Sequence, residues 1–471
     1  MNIRFTLTLF ILCTVIFTSH VQAAVTYSFN ECGGDTLKYE RIKNLEIDSD
    51  GNLIAAVDAP IGTAKVVKFV PGTGSLNLDI NFGSAGLASF DYTTYLDDPS
   101  VYGILNGEDA QGLAISPSDK IFLARDLYDL GYYYGMSTLT NDYAMDVIRF
   151  QTDGDIDDAA NNGGNPLLAF SSDGAEYTEF SHDVFVQDIV VDDNGSVYSI
   201  GHVKKTTPSG INGNDIAIAS WNRMGQLNTR FDTDGMVELN LGSSDNATKG
   251  LIDANGMLVI VGQTDVNGDD DMFIMRMSLD GTIDTSFGDD NPYVSGSKKG
   301  YTLIDFSGDD SAIGVLEVNG EYIIGGSNES DVAFAKVSRT GQLVTSFASS
   351  GKKTFSLDGD FTASDMAMDS NNIVYIVGSL EKSGADSDLV VVNLNSRTGN
   401  HVLSFGSFGE YVYDYNGLEQ EGYAIAIDAD DNIYVGGYTG NDLITCDPHG
   451  IPYSDIDQLI IGLDATGSEI F

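Results

Sequence analysis

The chain has 471 residues, with 70 acidic against 23 basic side chains and a formal charge of −47. A field of that sign repels phosphate backbones and anionic lipid, which argues against a nucleic-acid partner or a polybasic membrane role. The acid excess reads as solvated surface, with the sharper alternative that some carboxylates collect divalent cations.

In chain order, the first segment is Met1-Asn2-Ile3-Arg4, an apolar run from Phe5 to Phe17, then "SHVQAA". One basic residue, a short apolar core and an A-x-A-like site describe a secretory signal peptide, with cleavage expected after Ala23. The run is shorter than the roughly 20 residues a membrane-spanning helix needs. Loss of residues 1–23 removes Arg4 and no acid, so the exported chain is one unit more negative. The protein is expected to be secreted or periplasmic, a monomer, and not inserted in a membrane. Next comes "AVTYSF" (24–29), an apolar strand ahead of everything that follows.

One pattern then recurs seven times: "IDSDGNLIAA" from Ile47, "ISPSDKIFLA" from Ile115, "VDDNGSVYSI" from Val191, "IDANGMLVIV" from Ile252, "LEVNGEYIIG" from Leu316, "MDSNNIVYIV" from Met368 and "IDADDNIYVG" from Ile427. Each is a strand, a D-x-[DN]-G-like turn that accepts positive φ, and a second strand. The second strands end in glycine, as at Gly262, Gly325, Gly378 and Gly436. A third strand follows, such as "DVIRF", "DMFIMRM" or "DLVVVNL", then a glycine turn, a Phe and a fourth strand such as "KKTFSLD" from Lys352. A recurring unit of this length is a repeat architecture. Four short antiparallel strands per unit predict an all-β, seven-bladed β-propeller of four-stranded blades, one domain over 24–471. Third strands apolar on both faces fit sheets covered on both sides by neighbours.

The seventh unit stops at Phe471, where its fourth strand is due. Residues 24–38 are expected to supply that closing strand and a linker, and ring closure removes the free sheet edge. Cys32 then falls just past the N-terminal strand and Cys446 in the two-to-three loop of blade 7, on the same face. A Cys32–Cys446 disulfide is expected across the closure in an oxidising compartment. The chain-entropy model gives such a bond ~5 kcal/mol.

The segment "SLDGTIDTSFGDD" (278–290), with "GSLNLDINFGSAG" (74–86) and "GQLNTRFDTDG" (225–235), resembles the delta-60 repeat of exported bacterial proteins. Gly281, Asp284, Phe287 and Gly288 match its D-G-x-x-D-x-x-F-G-x-x-G-like signature. Other copies degrade: Phe347 is followed by Ala348, "HVLSFGSFG" (401–409) lacks the Asp, and blade 2 ("GDIDDAANNGG", 154–164) lacks the Phe. The resemblance implies an exported propeller and brings no defined activity. The Phe is expected to plug the space between blades, and the next Gly to permit the bend into strand four.

No H-E-x-x-H, G-x-S-x-G, P-loop or C-x-x-C occurs, and His182, His202, His401 and His449 read as loop histidines. Residues separated in sequence can still converge on a propeller axis. No cofactor is expected, calcium aside. The best calcium candidate is "DVNGDDD" (265–271), whose Asp265, Asn267, Asp269 and Asp271 alternate as oxygen donors. It departs from an EF-hand, with Asp270 at the glycine position and Arg276 at the glutamate position. The repeated turns read as hairpin chemistry. Long loops at 91–109, 126–143, 171–183, 202–214, 291–300 and 438–456 are expected on one face, which would mark it as the binding face. Tyr102, Tyr128, Tyr132, Tyr133 and Tyr134 are its candidate ligand-binding residues, offering flat contact area with a hydroxyl. The expected function is a non-catalytic binding or scaffold module for a glycan or protein partner on that face. The alternative is a calcium-dependent secreted hydrolase or lyase there.

Overall fold

A computed structural model describes residues 24–27, 41–58, 63–91, 105–130, 141–158, 161–162, 170, 175–178, 180, 182–206, 212–266, 268–382, 386–415, 417–440 and 456–471. The predicted signal peptide, Cys32, Cys446, Tyr102, Tyr132, Tyr133, Tyr134, Asn267 and His449 lie outside these residues. Among the described residues, seven antiparallel sheets stand around a ring. Their first strands, Ile42–Ile47, Leu105–Ile115, Val184–Val191, Asp245–Ile252, Asp310–Val318, Asp360–Met368 and Gln420–Ile427, each touch the next, and the last touches the first. The chain is a seven-bladed β-propeller. Ala24–Tyr27 pairs antiparallel with Ile456–Leu463, Ala24 opposite Ile461 and Tyr27 opposite Gln458. The N-terminal strand thus completes blade 7, and the ring closes by backbone hydrogen bonds.

Local chemistry explains each blade. In the first hairpin turn of blades 1, 3, 4, 6 and 7 one Asp carboxylate accepts the N–H groups two and four residues on. Asp253 takes Asn255 and Met257, both at 2.9 Å, and Asp192, Asp369 and Asp428 do the same. Those carboxylates serve the backbone, which is hairpin chemistry as expected.

The D-x-x-F-G signature proves to be a latch between blades. The rings of Phe82, Phe231, Phe287, Phe347 and Phe405 are at most 1% exposed, each inside an apolar cluster shared with the following blade. The residue after each Phe turns to positive φ: Gly83, Asp232, Gly288, Ala348 and Gly406. Its N–H then reaches a turn carbonyl of the next blade, as from Gly288 to Thr340 at 3.0 Å and from Gly406 to Thr466 at 2.8 Å. A Cβ on Gly288 would sit 2.1 Å from the Tyr301 oxygen, so this copy needs its glycine. Asp232 and Ala348 take the same left-handed backbone at some strain cost, which is how degraded copies still latch.

Blade 2 corrects the sequence reading, because its Phe is displaced, not lost. Arg149 Nε donates to Asp157 at 2.7 Å, as Arg276 Nε donates to Asp284 at 2.8 Å. Phe170 N–H reaches the Asp157 carbonyl at 2.9 Å, as Phe287 N–H reaches Asp284 at 3.0 Å. Each guanidinium lies over its Phe ring, at 4.9 and 4.6 Å. An insertion between Asp157 and Phe170 hid the match from a fixed-spacing reading.

Every first strand carries a bulge at the same level, for example between Val186 and Asp188 and between Ala247 and Lys249. In blades 3 to 7 the second-strand residue at that level is Gly201, Gly262, Gly326, Gly378 or Gly437. A Cβ on any of them would lie 1.9–2.1 Å from a first-strand carbonyl. The bulge pushes that carbonyl outward, and glycine makes the room.

The expected one-sided distribution of insertions also needs correction. Strand-two-to-three and strand-four-to-one connections do share a face. Residues 291–300, however, join the third strand Asp270–Ser278 to the fourth strand Tyr301–Ile304 of blade 4, on the opposite face. The stretch 171–183 contains the fourth strand Ala175–Thr178 of blade 2. Four-residue strands this short leave little periodicity to read, so an insertion before one passes for an insertion after it.

Candidate functional site

The bulges deliver charge to the propeller axis. Asp188, Lys249 and Asp365 directly follow the bulge of blades 3, 4 and 6, and Glu46 lies two residues beyond the corresponding Asn44 of blade 1. Asp188 Oδ2 accepts the Gly250 N–H at 2.9 Å, and Asp365 Oδ2 accepts the Ile425 N–H at 3.1 Å. Each acid thus caps the next blade's inner strand just past its bulge. Lys249 Nζ stands 3.3 Å from Asp188 Oδ1 and 3.8 Å from Asp365 Oδ1. The Lys249 side chain keeps 31% of its surface although enclosed by the inner strands, so that surface faces an axial channel.

Burial alone would lower the Lys249 ammonium, but Asp188, Asp365 and Glu46 outweigh it and hold it above the ordinary lysine value. Burial raises Asp188 against the pull of Lys249 and the Gly250 N–H. Burial also pushes Glu46 up to about 7, Lys249 opposing while Asp365 and Asp188 add to the rise. A carboxyl that exchanges its proton near neutrality beside a fixed ammonium can act in acid–base chemistry. Sequence reasoning missed this cluster, since each charge comes from a different blade and no one strand shows the others. The available signal was a charge recurring at one strand position in several repeats ("VQDIV", "ATKGL", "ASDMA").

A second feature lies on the face of the strand-two-to-three loops. Tyr143, at the start of a third strand in blade 2, tilts onto Phe185 of blade 3 with centroids 4.8 Å apart. Phe185 stacks on His202 at 5.3 Å. Burial pushes His202 down to about 4, so the imidazole is neutral at physiological pH. The ladder stands where blades 2 and 3 extend furthest: their second and third strands run ten residues, against eight and seven in blade 5. Tyr128 is described by its backbone alone, opposite Tyr143. His401 instead packs inside, its ring 3.8 Å from that of Phe355 and its Nδ1 2.9 Å from the Asn393 carbonyl oxygen.

The third feature takes one residue from the candidate calcium loop. Asp265 pairs across the hairpin with Asp270 and accepts the Gly268 N–H at 2.9 Å. Asp271 is grouped elsewhere, with Asp305 and Asp310. Burial raises Asp271, and so do Asp305, Asp269 and Asp270. Burial carries Asp310 up to about 6 despite hydrogen bonds from Phe306 and Asn328.

No family model and no curated protein matches this chain. Among solved structures it is similar to a protein of unknown function from Dyadobacter fermentans, at 11% identity and TM-score 0.39, covering 90% of this chain and 95% of that one. It is similar to a puromycin-hydrolyzing peptidase of Mycobacterium tuberculosis, at 10% identity and TM-score 0.43, covering 92% of this chain and 54% of that one. A third is the intramolecular trans-sialidase of Ruminococcus gnavus, at 10% identity and TM-score 0.38, covering 92% and 96%. At such identities and scores none carries a functional argument. The described residues contain no helix long and apolar enough to cross a membrane.

Proposed function

We propose that the protein is an exported, non-catalytic binding propeller of delta-60 type whose ligand is a glycan. It docks over blades 2 and 3, on the face of the strand-two-to-three loops. The observation that supports this reading is the Tyr143–Phe185–His202 ladder. Three part-exposed rings stacked in a row, one of them a neutral imidazole, offer ring edges and an outer ring face as an apolar floor. That is what the C–H face of a sugar ring stacks on. Tyr102, Tyr128, Tyr132, Tyr133 and Tyr134 would border the same floor. The test is a glycan and peptide binding screen on the exported chain, repeated on Tyr143→Ala and on the triple Tyr132→Ala, Tyr133→Ala, Tyr134→Ala. Glycan binding weakened tenfold or more in both supports the reading. Binding that is unchanged, or confined to peptides, overturns it.

Glu46 favours a second reading, a hydrolase or lyase working at the axis. Its carboxyl titrates near neutrality beside Lys249. That reading requires Glu46→Gln to abolish turnover of a ligand found in the screen.

A further inference from the structure

We propose that Asp271, Asp305 and Asp310 form a calcium site at the seam of blades 4 and 5. Ligand oxygens of the three lie within 4.8 Å of one another. Two oxygens on opposite sides of a calcium ion, each at 2.3–2.6 Å, are separated by about 4.6–5.2 Å, so one ion can reach all three. The donors are all hard carboxylate oxygens, which suits calcium and excludes a preference for soft metals.

The second line of argument is the repeat itself. An Asp stands at one equivalent third-strand position in blades 3, 4, 5 and 6. Asp215 takes Lys205 and Asp388 takes Lys382 Nζ at 2.8 Å, while Asp331 takes the Ser356 hydroxyl at 3.0 Å. Lys205 and Lys382 each stand two residues past the cross-strand partner of their Asp, Val203 and Leu380. In blade 4 the partner of Asp271 is Thr264, and two residues on stands Val266. Asp271, 4% exposed as a residue, has no side-chain hydrogen bond or ion pair among the described residues. It faces two further carboxylates where two of its counterparts face a cation and the third a hydroxyl. An unpaired buried carboxylate is costly, and a divalent cation removes the cost.

The other two ligands keep oxygen capacity. Asp310 is buried and accepts the Phe306 N–H at 2.6 Å and Asn328 Nδ2 at 2.8 Å, one on each oxygen, leaving a lone pair on both. Asp305 is exposed, and among the described residues only its Oδ1 accepts a side-chain hydrogen bond, from the Ser307 N–H at 2.6 Å. The neighbouring cation, Lys352, donates to the backbone carbonyl of Asp305 and lies 5.1 Å from the Phe306 ring centre. A bound ion would join the third strand of blade 4, the connection out of it and the inner strand of blade 5.

The test uses the whole exported chain, stripped with a chelator and titrated with calcium by calorimetry at physiological ionic strength. Thermal unfolding is followed in parallel by the fluorescence of Trp221. The expected result is one saturable site per chain, preferring calcium to magnesium, with a calcium-dependent rise in melting temperature. Asp305→Asn, on the exposed ligand, and Asp271→Asn should each weaken binding tenfold or more, while Asp290→Asn, exposed elsewhere, leaves it unchanged. If Asp271→Asn fails to fold, Asp305→Asn decides. Calcium binding that is unsaturable, matched by magnesium, or equal in parent and Asp305→Asn overturns the site.

Discussion

Replacing Lys249 by Met removes the ammonium from the axial cluster while nearly preserving side-chain length. At an effective dielectric near 20, unit charges at 3.3 and 3.8 Å attract by about 5 and about 4 kcal/mol. Desolvation of the ammonium offsets much of that, and breaking a buried pair typically costs 3–5 kcal/mol because a charge is left without its partner. Lys249 keeps 31% of its surface toward the channel, so the lower end, about 3 kcal/mol, is expected at neutral pH. The pH dependence gives the stricter test. Without the ammonium, the folded-state pKa values of Glu46 and Asp188 move further up. Folded carboxyls with raised pKa hold protons that the unfolded chain has released, so stability falls as pH rises through those values. The variant's deficit should therefore be largest near pH ~8 and shrink toward pH ~5. Urea unfolding read by Trp221, the single tryptophan and 1% exposed, measures it without adding salt. A deficit below about 1 kcal/mol at neutral pH, or one that grows on acidification, would refute this electrostatic account of the axis.

Three further outcomes follow from the same geometry. Glu46 rises from 4.5 to about 7 on folding, so its favourable contribution is complete below 4.5 and lost as pH rises through about 7. Glu46→Gln should match the parent in acid and exceed it by up to about 3 kcal/mol in mild alkali, read from urea midpoints; an unchanged pH slope would count against it. Gly326→Ala places a Cβ 1.9 Å from the Ser311 oxygen and should cost about 1–3 kcal/mol by calorimetry, whereas a neutral result would mean the bulge can relax. Phe170→Ala should cost about 3–5 kcal/mol, as much as Phe287→Ala, because the two rings fill equivalent spaces at different blade seams; a small loss at Phe170 alone would undo the equivalence.

Much of the fold was written locally. The period-two strands, the D-x-[DN]-G turns and the missing last strand are properties of neighbours in the chain. They determined seven blades and closure by Ala24–Tyr27 without any long-range information. The signature around Phe287 was legible as an interblade plug for the same reason. Where an insertion broke the spacing, as before Phe170 and before Tyr301, the sequence misled, because a four-residue strand or a single ring carries no period of its own. Only the tertiary structure brought Glu46, Asp188, Lys249 and Asp365 together, and only it took Asp271 from its own loop to Asp305 and Asp310. Hydrogen-bonded turns are decided within a few residues. Which charges meet across a ring depends on where every bulge falls and on how the circle closes, and no single repeat contains that.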